Sequence, residues 1–270
     1  NPTGMHKLTL VGAGLLSFSM TNAQRILPTG TGTDGTGINA MASYNGELVL
    51  GGFFANFNGH ARRNIQGWDG ASAHNDMAGA FDAAPERVSA LVVFEEDLIA
   101  GGRETSLNNI ARWDGSAWSA MGSGRSQRVA ALCIHNGELY AGGLDSAVSR
   151  WNGTDWEQVG GRFNGQVNAL ASFGGQLHAG GNFTLNDEDL QLNQPYLSYF
   201  NGESWQEAGT GLNGPVNALL SAGDELYIGG DFTTDAEGNG SFPKWTRLST
   251  GGFSSEPHLP SLTACFNCSG

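Results

Sequence analysis

The run Val167-Asn-Ala-Leu-Ala-Ser-Phe-Gly-Gly-Gln-Leu-His-Ala-Gly-Gly-Asn-Phe-Thr184 decides the architecture of this 270-residue chain. It returns almost residue for residue at 216–233, and in weaker form from Ile38, Val88 and Val129. Each copy is an apolar run, a two-residue turn, a second apolar run and a Gly-Gly pair. The copies are 50, 41, 38 and 49 residues apart. That step is too long for a leucine-rich unit, and the copies lack the amphipathic period of a helical repeat. It matches the roughly 40–50 residues of a four-stranded propeller blade.

Within a unit, Ile38, Val88, Val129, Val167 and Val216 share one position, and Met41, Leu91, Leu132, Leu170 and Leu219 follow three residues later. The turns Asn45-Gly46, Asn136-Gly137, Gly174-Gly175 and Gly223-Asp224 supply positive φ at low cost, as tight hairpins require. Glu95-Glu96 breaks this rule, so a looser turn is expected there. Both strands are apolar nearly throughout, which predicts sheets covered on both faces. The Gly-Gly pair is expected to let the backbone pass close to a neighbouring sheet. A third strand ends in Trp113-Asp-Gly115, Trp151-Asn-Gly153 and Phe200-Asn-Gly202, and a fourth begins at Trp118, Trp156 and Trp205. These aromatics recur at fixed repeat positions, so they are expected to pack blades together rather than to stack on sugars.

The form Val-x-Ala-Leu, Leu-Tyr-x-Gly-Gly, Trp-Asp-Gly, Trp resembles the kelch repeat and its propeller relatives. It is similar to repeats in secreted bacterial propeller proteins and in the fungal cortical-marker polarity protein. The resemblance covers about residues 25–251 and implies a propeller; it carries no function of its own.

The expected fold is therefore all-β: a five-bladed β-propeller of four-stranded antiparallel blades over residues 24–251. Residues 25–37 align with the fourth strands at Trp118 and Trp205 but have no strands before them, whereas the strand at 245–248 has no clear fourth partner. The economical solution is that the N-terminal strand completes the last blade and closes the ring, which removes exposed edges. Residues 5–23 have a short basic start, an apolar core and a small residue before Gln24, as a secretory signal does. This predicts a signal peptide over 1–23, a secreted or cell-surface location and no transmembrane segment. Residues 252–270 lose the repeat and are expected to form a tail.

A net charge of −13 argues against nucleic acid, which needs a basic footprint. Gly30-Thr-Gly-Thr-Asp-Gly35 matches a dinucleotide fingerprint as a bare pattern, but it precedes a strand instead of opening a helix. Cys133 aligns with apolar residues and reads as core, while Cys265 and Cys268 suit a local disulfide in an exported protein. Asn152, Asn182, Asn239 and Asn267 begin glycosylation sequons. His135 and His178 occupy aromatic positions of the repeat and read as structural.

Five-bladed glycosidases use two carboxylates that project from inner strands. None of the five first strands here holds Asp or Glu, which is the strongest argument against hydrolysis. Asn39, Asn168 and Asn217 recur at one position of these strands and are expected to bridge backbone groups. Asp235, Glu237 and Asn239 place oxygen ligands at alternate positions, as the start of a calcium loop does. The twelfth position is Thr246 rather than Glu, so calcium stays open beside a solvated turn, and no other cofactor is expected.

The loops after Gly-Gly are long in the first, fourth and fifth copies and nearly a tight turn in the third. They share a face with the blade-to-blade connections, and loops on a rigid scaffold commonly carry binding. The function expected is a non-catalytic exported module that recognises a glycan or a protein through this face. The alternatives are a carbohydrate-active enzyme with loop-borne carboxylates and a structural subunit of a surface or filament assembly. Ligand contacts are expected from a basic sector holding Phe57, Arg62, Arg103 and Arg128, with Arg125 and Arg162 nearby. An acidic sector includes Asp187 and Asp189.

Overall fold

The apolar runs become paired strands wherever the structure describes them. The computed structural model describes residues 37–57, 60–61, 63–69, 73–74, 77, 80–81, 87–104, 106–184, 196–209, 211–233, 245–249 and 252–254. Strands β1 (Gly37–Tyr44) and β2 (Glu47–Phe53) are followed by a separate hairpin, β3 (Asn56–Phe57) with β4 (His60–Ala61). Strands β5 (Ile65–Trp68) and β6 (Ala73–His74) then complete the first sheet. The second sheet holds β7 (Arg87–Phe94), β8 (Asp97–Arg103), β9 (Ile110–Trp113) and β10 (Trp118–Ala120). The third holds β11 (Val129–His135), β12 (Glu138–Gly143), β13 (Ala147–Trp151) and β14 (Trp156–Arg162). The fourth holds β15 (Val167–Phe173), β16 (Gln176–Gly181), β17 (Leu197–Phe200) and β18 (Trp205–Glu207). The last holds β19 (Val216–Ala222), β20 (Glu225–Gly230), β21 (Trp245–Ser249) and β22 (Gly252–Ser254).

The fold is all-β, with antiparallel four-stranded sheets in a propeller arrangement. The first strands are innermost: β1 packs on β7, β7 on β11, β11 on β15 and β15 on β19. Two expectations are corrected. Four blades are recognisable in the arrangement rather than five, although hydrogen bonding joins five four-stranded sheets. The fourth partner of β21 is β22, with Leu248 opposite Phe253, so the residue range 245–249 has no edge left for an N-terminal strand. Residues 252–254 thus belong to the last sheet rather than to a tail. Residues 25–28, the proposed closing strand, lie outside the described residues, as do 1–23.

The end sheets differ from the inner ones at equivalent positions. Val88, Val129, Val167 and Val216 are buried, whereas Ile38 is half-buried. Ala169 and Ala171 are fully buried, whereas Ala218 and Leu220 on the last sheet are half-buried. Each end sheet thus leaves one apolar face partly uncovered.

Gly-Gly has two separate steric reasons. A Cβ at the first glycine, Gly142, would come within 2.7 Å of Val167 Cγ1 in the next sheet. The same valine-in-notch contact recurs at Gly51, Gly101 and Gly180. A Cβ at the second glycine, Gly143, would overlap the Arg128 carbonyl oxygen entering its own hairpin. The register shifts once between Val129 and Ala131, and all five first hairpins carry this bulge at the same place. The bulge turns the intervening side chain toward the next sheet. Asn39 Nδ2 donates to Val88 O at 3.1 Å, and Asn168 Nδ2 to Val216 O at 2.9 Å. Asn217 donates instead to Asp231 Oδ2 in the loop after β20.

The fourth-strand tryptophans fasten each sheet to the one before it. Trp118 Nε1 donates to Met77 O, Trp156 Nε1 to Met121 O and Trp205 Nε1 to Val159 O, at 2.8, 3.2 and 3.1 Å. Trp113, Trp151 and Phe200 pack on these rings at centroid distances of 5.4, 5.4 and 5.3 Å. None of the five expected packing tryptophans is exposed. Cys133 is buried and forms no disulfide among the described residues, as its apolar register predicted.

The Glu95-Glu96 turn is not looser. Phe94 pairs with Asp97, and both glutamates take positive φ, 50° and 70°, in a two-residue turn like that of Asn45-Gly46. Left-handed backbone costs about 1–2 kcal/mol for an ordinary L-residue, and the adjacent carboxylates repel. Replacing the pair with Asn-Gly should stabilise the protein by roughly 1–3 kcal/mol. Urea unfolding of the double variant reads this directly, and a lower midpoint would contradict it.

His178 is buried 3 % exposed against Phe173 and Tyr199, where Tyr140 and Tyr227 stand in other repeats. Burial pulls its pKa down to about 4. The unfolded chain therefore binds the proton first: stability is complete above the ordinary value near 6.5 and falls as pH drops toward 4. His178→Tyr should narrow the stability gap between pH 7 and pH 4.5 by about 2–3 kcal/mol. Denaturant midpoints at the two pH values test this, and an unchanged gap rules it out.

Candidate functional site

The short third loop, Leu144 to Ser146, sits beside a built-up second loop. Glu104, 1 % exposed, braces that second loop by accepting from Ser106 N at 2.7 Å and from the Ser106 hydroxyl. The connection from the second to the third sheet runs between them, and its Arg125 N donates to Asn108 O at 2.8 Å. A cleft of about 490 Å³ remains, lined chiefly by Asn108, Arg125, Ser126, Asp145, Gln158 and Arg162. Trp156 forms part of its wall, with its indole N–H already committed to Met121 O.

Arg125 fills the base of the cleft. Its Nη2 is 2.6 Å from Asp145 Oδ2, and both side chains are 8 % exposed. The same guanidinium donates to Ser149 Oγ and to Ala147 O at 3.3 Å. Burial lowers the pKa of Arg125 and the Asp145 charge opposes that shift, so the group stays cationic at neutral pH. Asp145 Oδ1 is buried and has no hydrogen-bond partner among the described residues. Arg162, exposed, donates from Nη1 to the Asp145 carbonyl at 2.9 Å. The cleft therefore holds two guanidiniums against one carboxylate.

The expected contact residues fall into three groups. Arg103 is exposed at the end of β8 and pairs in register with Arg87. Arg128 is half-buried, donates to Ser89 Oγ at 3.5 Å, and has its pKa lowered by burial and by the neighbouring Arg87. The structure thus brings Arg103 and Arg128 each beside Arg87, and Arg87 also lies 5.8 Å over the Phe53 ring. Phe57 is placed otherwise: it is 4 % exposed and packs on Phe54 and Trp68, which leaves no ring face for a partner. Arg62, Asp187, Asp189, the calcium candidates Asp235, Glu237 and Asn239, and the cysteines Cys265 and Cys268 lie outside the described residues. Among the described residues there is no cluster suited to a metal ion, and no helix long and apolar enough to cross a membrane.

Sequence reasoning overlooked Asp145, Gln158 and Arg87. The available signal was loop length, because a nearly tight third turn between larger neighbours leaves room at its side.

No family model matches the chain, and no curated protein matches it. In the crystal structure of the computationally designed Ika8 protein, 15 % identity accompanies a TM-score of 0.50 over 82 % of this chain and 70 % of that one. The designed Ika4 protein gives 16 % identity and a TM-score of 0.43 over 66 % of this chain and 98 % of its own. At such identity the Ika8 likeness speaks for the fold alone.

Proposed function

We propose that the chain is a non-catalytic, exported binding module that recognises a glycan or a protein through the face bearing the loops after Gly-Gly. The observation that carries this is the cleft between the second and third sheets, with a buried ion pair at its base and the exposed Arg162 beside that pair. The innermost strands hold no Asp or Glu, so a pair of axial carboxylates for hydrolysis has no source there. Export rests on the signal-like sequence at 5–23. Glycan-array and pull-down screening of the full chain, repeated with Arg103→Glu and Arg162→Glu together, tests the reading. Partner affinity should fall about tenfold or more in the variant, with an unchanged melting temperature, because both side chains are exposed. The effect should weaken with added salt. Affinity unchanged by both reversals would end this reading of the face.

The ring also belongs to the proposal. The uncovered faces at Ile38 and Met41 and at Ala218 and Leu220 repeat the two halves of every internal junction. We propose that they meet and close the ring without an N-terminal strand at β21. A cysteine pair at 38 and 220 should cross-link within a monomer; cross-links found only between molecules would overturn closure.

A further inference from the structure

We infer that the cleft between the second and third sheets takes one uncharged sugar residue of a glycan, held through its hydroxyl hydrogens; this rests on the loop-face binding proposed above. The deciding atom is Asp145 Oδ1. It is an acceptor, it is buried, and it has no partner among the described residues. A group that completes it must donate hydrogen. Arg125 already neutralises this carboxylate at 2.6 Å, so the site has no unmet negative charge to attract a cation, and Arg162 alongside would repel one. An anion is disfavoured by the Asp145 carboxylate that lines the cleft. A hydroxyl satisfies the oxygen without charge.

The rim agrees with a polyhydroxylated ligand. Asn108, Ser126 and Gln158 line the cleft, are exposed, and make no side-chain hydrogen bond recorded among the described residues. They offer neutral donors and acceptors to several hydroxyls at once. Arg162 adds a donor beside them. The apolar lining is limited to Ala147 and Trp156, too little for the aromatic or aliphatic anchor on which a peptide partner depends. A volume of about 490 Å³ is in the lower part of the range for small-ligand sites, in keeping with one sugar ring.

The test is calorimetric titration of the full chain with maltotetraose, cellotetraose, chitotetraose and tetragalacturonate. Ser126→Trp and Gln158→Trp, which fill the cleft from exposed positions, are titrated in parallel, and melting temperatures verify folding. At least one neutral oligosaccharide should bind, and both tryptophan variants should weaken it at least tenfold while remaining folded. Binding of tetragalacturonate alone would overturn the uncharged class. Neutral binding that both variants leave intact would overturn the cleft as its seat, with the binding-module reading still standing. No binding by any of the four would overturn the inference, and the wider reading would fall only if the array and pull-down were also empty.

Discussion

Replacing Trp205 with alanine is expected to cost roughly 3–5 kcal/mol of stability, the range for removing a large buried aromatic. Trp205 is 0 % exposed and joins two sheets. Its ring packs 5.1 Å from Phe163 and 5.3 Å from Phe200, and its indole N–H donates to Val159 O of the preceding sheet. The cavity cannot collapse easily, because Phe163 is also held by a stacked contact with Phe183 at 4.0 Å. Trp118→Ala, at a half-buried ring with the same kind of hydrogen bond, should cost less. Urea unfolding of both variants gives the comparison. A loss below about 1 kcal/mol for Trp205→Ala would mean that the fourth-strand aromatics are not what fastens sheet to sheet.

The second large effect is expected at Gly143. An added Cβ meets the Arg128 carbonyl oxygen, a backbone atom held by its own hairpin. A side chain can rotate away, but this oxygen cannot move without opening the bulge between Val129 and Ala131. Overpacking usually costs 1–3 kcal/mol, and Gly143→Ala should lie at or above the top of that range, about 3 kcal/mol or more. Gly137→Ala is the control. It has positive φ (+77°) but nothing within 4 Å of the added carbon, so only conformational strain of about 1–2 kcal/mol applies. Equal losses at the two sites would show that the contact with the Arg128 carbonyl is not what sets the cost at Gly143.

Both expectations bear on how the fold is written into the chain. Val167 and Gly142 come from different repeats, yet each recurs at a fixed offset, so the notch and its knob can be read from spacing alone. The tryptophan positions were legible for the same reason. Two local features were misjudged. Glu95-Glu96 is forced into a tight turn because Phe94 and Asp97 must stay in register between the flanking strands; tertiary pairing overrides the poor turn propensity. The last fourth strand was overlooked because Leu248 and Phe253 stand where other repeats carry Trp or Phe followed by Trp. The five-residue interval between Trp113 and Trp118 is nevertheless kept between Leu248 and Phe253, and both pairs are opposite each other in register.

By itself, the sequence determined the all-β class, the repeating hairpins, the Gly-Gly notches, the structural roles of Cys133 and His178, and inner strands without carboxylates. These follow from chain-local periodicity and from positions that recur. The tertiary structure alone decided that Phe57 is buried and that Arg125 pairs with Asp145 at the base of a cleft. Those outcomes depend on the angle and distance between neighbouring sheets and on how far each loop rises above them. They occur once rather than in every repeat, so no spacing in the chain encodes them.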